Sequence, residues 1–186
     1  FKDISARPDA VILSYPVITT GEYMHKGSIE TLYGAGISQE EVDYADPSKH
    51  VNSQTPPAFI WTTANDQEVP MENSLLYAKA LKAKGVPFAL HIFSDGEHGS
   101  SLADKEWAAG EYGGYYCMEQ FFANMQYLID NEIPMSNGMP LPPKGTDYRS
   151  MFENTPKDYL KKKEIPEIAV WPKLAVEWLK KQEVFA

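Results

Sequence analysis

Two residues of types that act together in nucleophilic catalysis, Asp66 and His98, lie 32 positions apart in this sequence. A carboxylate beside a histidine can fix the imidazole tautomer and stabilise the imidazolium that forms when the ring takes a proton from a nucleophile. Asp66 alone also has an ordinary interpretation, because aspartate is common in turns, where it satisfies local backbone groups. His98 lies in a glycine-flanked loop, where packing in a hydrophobic core does not account for a histidine. Their chemistry depends on whether the fold brings them together.

The segments around Asp66 and His98 predict that the fold brings these two residues together. An apolar run at residues 58–63 predicts a buried strand that ends just before Asp66. A helix is predicted over about residues 71–84, and a third strand over residues 87–93 leads into the loop of His98. Catalytic groups of an open parallel sheet collect in loops past the carboxyl ends of its strands. Adjacent strands would therefore place the two loops side by side, giving two thirds of a nucleophilic triad.

The rest of the chain completes an α/β pattern, a parallel sheet with flanking helices. Residues 10–15 read as a buried central strand, and residues 17–50 as a connection with small helices. Apolar residues at helical spacing predict an amphipathic helix from Trp171. Residues 103–168 are less regular, and we interpret them as an insertion before this last helix rather than a separate domain.

At these motifs the sequence resembles the α/β-hydrolases, particularly the acetyl-xylan-esterase-like branch related to dienelactone hydrolases and prolyl oligopeptidases. The resemblance covers roughly residues 7–102 and 169–181, and its motifs are residues 11–18, 55–57, 66–70, 96–99 and 171–179. It implies an ester hydrolase with Asp66 as the triad acid and His98 as the general base. It further implies a small-molecule or carbohydrate ester as substrate, with acetylated sugars or xylan as examples, and no cofactor.

The nucleophile expected from this resemblance is missing, because no Gly-x-Ser-x-Gly motif occurs in the 186 residues. The family order is serine, acid, histidine, so the serine is expected upstream of residue 1, together with the oxyanion-hole donors. The chain would then be the carboxyl-terminal part of an α/β-hydrolase, with an amino-terminal half as its partner. Residues 99–103 mimic an elbow around Ser101, but they follow the histidine loop and lack a preceding strand. We therefore do not assign Ser101 as the nucleophile.

Two other functions stay open. A non-catalytic α/β-hydrolase-like module that has lost its elbow would bind or assemble rather than react. A peptidase of the same fold is the alternative within the enzymes, while a dienelactone-type cysteine nucleophile is disfavoured because Cys117 lies too late in the chain. Whether the encoded protein continues upstream into a Gly-x-Ser-x-Gly strand, turn and helix separates the enzymes from the module.

The other histidines are weaker candidates. His25 lies in the connection after the first strand, where related enzymes place substrate-contacting residues, although a surface histidine is the simpler interpretation. His91 alternates with apolar residues inside a strand and is interpreted as a packed histidine. Together with His50 there are four histidines, and none has a metal-ligand spacing, so we expect no metal site.

The insertion is rich in aromatic residues and begins where substrate would enter. We expect either a cap over the substrate pocket, a surface for association into a homo-oligomer, or plain packing of the added helix onto the body. The aromatic residues concerned are Trp107, Tyr112, Tyr115, Tyr116, Phe121 and Phe122.

Charge and composition exclude some partners. The formal net charge of -9 disfavours nucleic acid, whose binding depends on lysine and arginine. No apolar run approaches the roughly 20 residues of a membrane helix, so we expect a soluble protein without membrane contact, and a cytoplasmic location is favoured. The compartment stays open because any signal peptide would precede residue 1.

Overall fold

The computed structural model describes residues 6–34, 36–109, 118–135, 139–155 and 162–182. Two compact units are present, Phe1–Asp104 with Ile165–Ala186, and Lys105–Glu164. The first unit contains every strand found in the described residues, and it contains both Asp66 and His98.

The sheet of the first unit has three parallel strands, β1 (Val11–Ser14), β2 (Ala58–Thr63) and β3 (Phe88–Phe93), in the order β1-β2-β3. The predicted bounds of β2 are confirmed, and β1 is shorter by one residue at each end than predicted. Phe93 of β3 is in register with Thr63 of β2. Adjacent parallel strands therefore end side by side, as the sequence predicts.

Both faces of β2 are covered, and every residue of the strand is buried. Ala58 and Ile60 belong to a core cluster with Leu81 of helix α3 (Glu72–Ala83). Phe59 and Trp61 point to the opposite face, where they pack with Ala175 of helix α7 (Trp171–Lys181). A strand buried on both faces reads as a continuous apolar run, which explains why β2 could be recognised in the sequence.

The connection between β1 and β2 forms helices α1 (Lys26–Tyr33) and α2 (Gln39–Tyr44) and a 3₁₀ turn, Pro47–Lys49. A fully buried amide, Asn73 in the first turn of α3, ties this connection to the site. Its Oδ1 accepts hydrogen bonds from the backbone N–H groups of Ile18 and Thr19, each at 2.9 Å. Its Nδ2 donates to the carbonyls of Tyr23 and Pro70. The amide thus joins the exit of β1 to the segment just after Asp66.

A buried carboxylate, Asp46, holds the same connection from the other side. It accepts hydrogen bonds from the backbone N–H of Thr20, the Thr19 hydroxyl and Ser48. Burial raises the pKa of Asp46, but these hydrogen bonds outweigh it and hold the pKa below its usual value. The carboxylate therefore stays ionised and keeps the chain after β1 in place.

The second unit is helical in its described part, with α4 (Lys105–Ala109), α5 (Met118–Asp130) and α6 (Tyr148–Asn154). Apolar residues at helical spacing between Met118 and Ile129 predict a helix over about residues 115–131, and α5 lies within that range, whereas the sequence does not predict α6. Four aromatic rings of α5 and α6 pack on one another within this unit, those of Phe121, Phe122, Tyr148 and Phe152. Trp107 lies in α4, while Tyr112, Tyr115, Tyr116 and Cys117 lie outside the described residues. The predicted cap or association role stays a prediction.

Candidate active site

Asp66 lies in the turn that follows β2, with its side chain fully buried. One carboxylate oxygen, Oδ1, accepts hydrogen bonds from the backbone N–H groups of Glu68 and Val69, each at 2.9 Å. Two backbone donors on one oxygen fix the plane of the carboxylate. The second oxygen, Oδ2, is thereby aimed away from the turn and toward the next loop.

His98 meets that second oxygen. Its Nδ1 lies 2.8 Å from Oδ2 of Asp66, while a quarter of the His98 side chain remains exposed. An ionised carboxylate can only accept a hydrogen bond, so Nδ1 carries the proton and Nε2 keeps its lone pair. The structure thus brings together the two residues that the sequence singles out, in the arrangement in which an imidazole can act as a general base.

The loop that carries His98 is bound to the end of β2 through Gly96. The Thr63 hydroxyl donates to the Gly96 carbonyl at 2.7 Å, and the Gly96 N–H donates to Oδ1 of Asn65 at 2.9 Å. Asn65 also donates through its Nδ2 to the Asp95 carboxylate. Three side chains at the end of β2 and just beyond it thus act together, since Thr63 and Asn65 hold the loop and Asp66 holds the histidine.

Two further anchors come from the end of the chain. The Glu167 carboxylate accepts hydrogen bonds from the backbone N–H and the hydroxyl of Ser94, at 3.2 and 2.6 Å. At the other end of the loop, the indole N–H of Trp171 donates to the Ser101 carbonyl at 2.9 Å. The loop is therefore fixed at both ends, which limits the freedom of His98 between them.

Comparisons with known proteins show which family the sequence matches. A family model described as the prolyl oligopeptidase family matches residues 7–113, more than half of the 186 residues. The chain belongs to the prolyl oligopeptidase family. The matched region includes all three strands and both Asp66 and His98.

Individual relatives are hydrolases by name. Endo-1,4-beta-xylanase B of Butyrivibrio fibrisolvens is 52% identical over 120 residues, covering 64% of this chain and 19% of the relative. A solved acetyl ester-xyloside bifunctional hydrolase of Caldicellulosiruptor lactoaceticus is 42% identical and has a TM-score of 0.54. The match covers 67% of this chain and 45% of the hydrolase chain. A sugar hydrolase of Lactococcus lactis is 27% identical and has a TM-score of 0.55. The match covers 97% of this chain and 51% of the sugar hydrolase chain.

These similarities confirm the α/β-hydrolase fold that the sequence motifs imply. The chain spans about half the length of the two solved relatives and about a fifth of the xylanase. Among the described residues, no helix has the length and apolar character to cross a membrane. Within the same ranges, no three His, Cys, Asp or Glu side chains are grouped as metal ligands would be.

The other sequence candidates make contacts of a different kind. His25 is the N-cap of α1, where its Nδ1 accepts a hydrogen bond from the Ser28 N–H. In the described part of the chain, no hydrogen bond or ring contact joins His25 to the pair, and its substrate role stays a prediction. His91 packs on the Phe59 ring at 4.9 Å, and burial lowers its pKa. Ser101 lies in a turn after His98, with no strand directly before it.

Sequence reasoning missed the roles of the residues that support the pair. Thr63, Asn65, Gly96 and Asn73 act through hydrogen bonds, and Tyr15 acts through its ring, which contacts the His98 imidazole. One signal was available for Asn65 and Thr63, because polar residues at the end of an apolar strand must face something other than the core. Tyr15 carried a weaker signal as an aromatic residue between a strand and a proline.

Replacement of Gly96 by alanine is expected to destabilise the protein by roughly 1 to 3 kcal/mol, the usual effect of overpacking. A Cβ at this position would lie 2.5 Å from Ile168 Cδ1 and 2.8 Å from Thr63 Cγ2, and both neighbours are buried. Chemical denaturation of the full-length protein measures the effect. Gly27→Ala is the matched control, since its Cβ would meet only an ordinary contact at 3.5 Å. Equal stability of the two variants would contradict the steric account.

Proposed function

We propose that the protein is a serine ester hydrolase that releases small acyl groups, with acetyl groups on xylan or related sugars as the substrate class. The observation that carries this proposal is the hydrogen bond of 2.8 Å between buried Asp66 and part-exposed His98 at the carboxyl edge of a parallel sheet. An acid and a base held this way serve to activate a hydroxyl nucleophile.

The proposed reaction has two stages. A serine hydroxyl attacks the ester carbonyl while Nε2 of His98 accepts its proton, and the imidazolium then gives that proton to the departing alcohol. In the second stage His98 takes a proton from water, the resulting hydroxide attacks the acyl-serine, and the proton returns to the serine as the acid leaves. Asp66 stabilises the imidazolium at each stage and is not itself protonated.

The serine is proposed to lie upstream of Phe1 in the full-length protein. The supporting observations are the absence of a Gly-x-Ser-x-Gly motif in the 186 residues and the order of serine, acid and histidine in α/β-hydrolases. The same upstream segment would supply the backbone N–H groups that bind the oxyanion. In this proposal the amino-terminal half is the principal partner of the chain.

The choice of acetylated xylan is supported by the names of two relatives. One is an acetyl ester-xyloside hydrolase at 42% identity, and the other is a xylanase at 52% identity over 120 residues. A shared carbohydrate substrate would account for both likenesses.

The test is acetate release from acetylated xylan and turnover of p-nitrophenyl acetate by the full-length protein. We expect acetate from acetylated xylan and no new reducing ends from the same xylan after chemical deacetylation. Failure to release acetyl groups from either substrate would refute the esterase proposal.

A peptidase is the second candidate, because the family to which the chain belongs is described by its oligopeptidase members. A proline-containing peptide amide, assayed beside the esters, separates the two. Cleavage of the peptide at a higher kcat/KM than the acetyl ester would favour the peptidase, and turnover of neither would favour the non-catalytic binding module.

A further inference from the structure

Tyr15, the first residue after β1, has an unusual backbone conformation. Its φ is +38°, a region that bulky residues rarely adopt, and it precedes Pro16, which pushes the residue before it toward extended conformations. The Tyr15 N–H donates to the Trp61 carbonyl at 2.7 Å, continuing the hydrogen bonds of β1 to β2. Strained backbone conformations of this kind persist where the surrounding structure holds them in place, and they cluster at functional sites.

The strained backbone directs the Tyr15 ring onto the His98 imidazole. The two ring centroids are 4.8 Å apart with the planes at 69°, an edge-to-face contact. The same tyrosine ring meets Trp61 at 4.9 Å and 88°. Trp61 is fully buried and stacks on Trp171 at 5.4 Å, so the ring rests on a fixed aromatic support.

The contact restricts a motion that Asp66 alone leaves open. A single hydrogen bond at Nδ1 fixes one point of the imidazole, and the ring can still tilt about that point. Packing of the Tyr15 ring against the imidazole opposes the tilt and so determines the direction of Nε2. Correct aim matters because a proton acceptor must lie within hydrogen-bond reach of the group it deprotonates.

We propose that Tyr15 is a positioning residue that aims Nε2 of His98 at the nucleophile, an inference that rests on the proposed esterase function. Glycine or asparagine would tolerate the positive φ with less strain. Neither of them offers a ring to the imidazole. Retention of a strained tyrosine at this position is therefore explained by the contact with His98.

The experiment compares Tyr15→Leu and Tyr15→Phe in the full-length protein with p-nitrophenyl acetate as the probe. For Tyr15→Leu we expect kcat to fall at least about tenfold with KM little changed, because misaimed catalytic groups lose rate rather than binding. Tyr15→Phe retains the ring and is expected to restore kcat to within about twofold of wild type. If Tyr15 had a purely structural role, both variants would have a changed melting temperature, and neither would show a fall in kcat at nearly constant KM.

Tyr44→Leu is the matched control, because Tyr44 makes a similar edge-to-face contact with His50 at 5.5 Å on the surface. Its kcat is expected to equal that of wild type. Tyr15→Asn serves as a second variant that fits the positive φ, and it should fold and still lose kcat as Tyr15→Leu does.

The outcomes separate this inference from the function on which it rests. Wild-type protein that hydrolyses the ester, with His98→Ala inactive and both Tyr15→Leu and Tyr15→Asn within about twofold of wild-type kcat, overturns the role of Tyr15 alone. Wild-type protein without any ester turnover overturns the proposed function, and the role of Tyr15 falls with it.

Discussion

Replacement of His98 by alanine in the full-length protein is expected to lower kcat for small acyl esters by about 10⁴-fold or more, the scale seen when a triad base is removed. The Nε2 that would accept the serine proton is lost, and no other histidine within the described residues contacts Asp66. KM should change little, because the imidazole acts on the reaction rather than on ground-state binding. Steady-state kinetics with p-nitrophenyl acetate measures both constants.

His50→Ala controls for the loss of a histidine as such, since the His50 ring packs on Tyr44 at the surface. It should keep wild-type kcat. The base assignment fails if His98→Ala keeps more than about a tenth of wild-type kcat while circular dichroism shows it folded.

Replacement of Asp66 by asparagine is expected to lower kcat by about 10³- to 10⁴-fold with only a small loss of stability. Asparagine retains an oxygen for the backbone N–H groups of Glu68 and Val69, so the turn is preserved. Its amide would face Nδ1 of His98 with a donor, which favours the tautomer that places the proton on Nε2. The imidazole could then no longer accept a proton from the nucleophile, and its imidazolium would lose the neighbouring charge.

The matched control for the charge change is Asp43→Asn, which removes an exposed carboxylate paired with Lys49. We expect unchanged kcat for this variant. Equal activity of Asp66→Asn and Asp43→Asn would show that Asp66 is only a turn residue, the ordinary interpretation of an aspartate at such a position.

The sequence was informative where a residue is constrained by its own strand or helix. β2 is buried on both faces, so its apolar run marked the strand to the residue. Gly85 directly follows the helix predicted over residues 71–84, and it adopts a φ of +70°, as a left-handed helix cap requires. Parallel strands that end together then follow from the α/β pattern, and with them the meeting of Asp66 and His98.

Contacts between distant segments cannot be recognised from such a local pattern. Asn73 reads as an indifferent helix residue, yet its amide joins the segment after β1 to the segment after Asp66 through four hydrogen bonds. Tyr15 reads as the end of a strand, and only the assembled sheet shows its ring against His98. Helix α6 was missed because its seven residues are too few for a clear helical pattern.

Covalent labelling of the full-length protein with a fluorophosphonate, followed by peptide mapping, tests whether Asp66 and His98 activate a serine. The reagent reacts with a serine that a neighbouring base activates. We predict one labelled serine, within a Gly-x-Ser-x-Gly peptide that precedes residue 1 of this chain, and no labelling in the His98→Ala variant. An unlabelled protein, a label on Ser100 or Ser101, or labelling that persists without His98 would contradict a triad built from Asp66, His98 and an upstream serine.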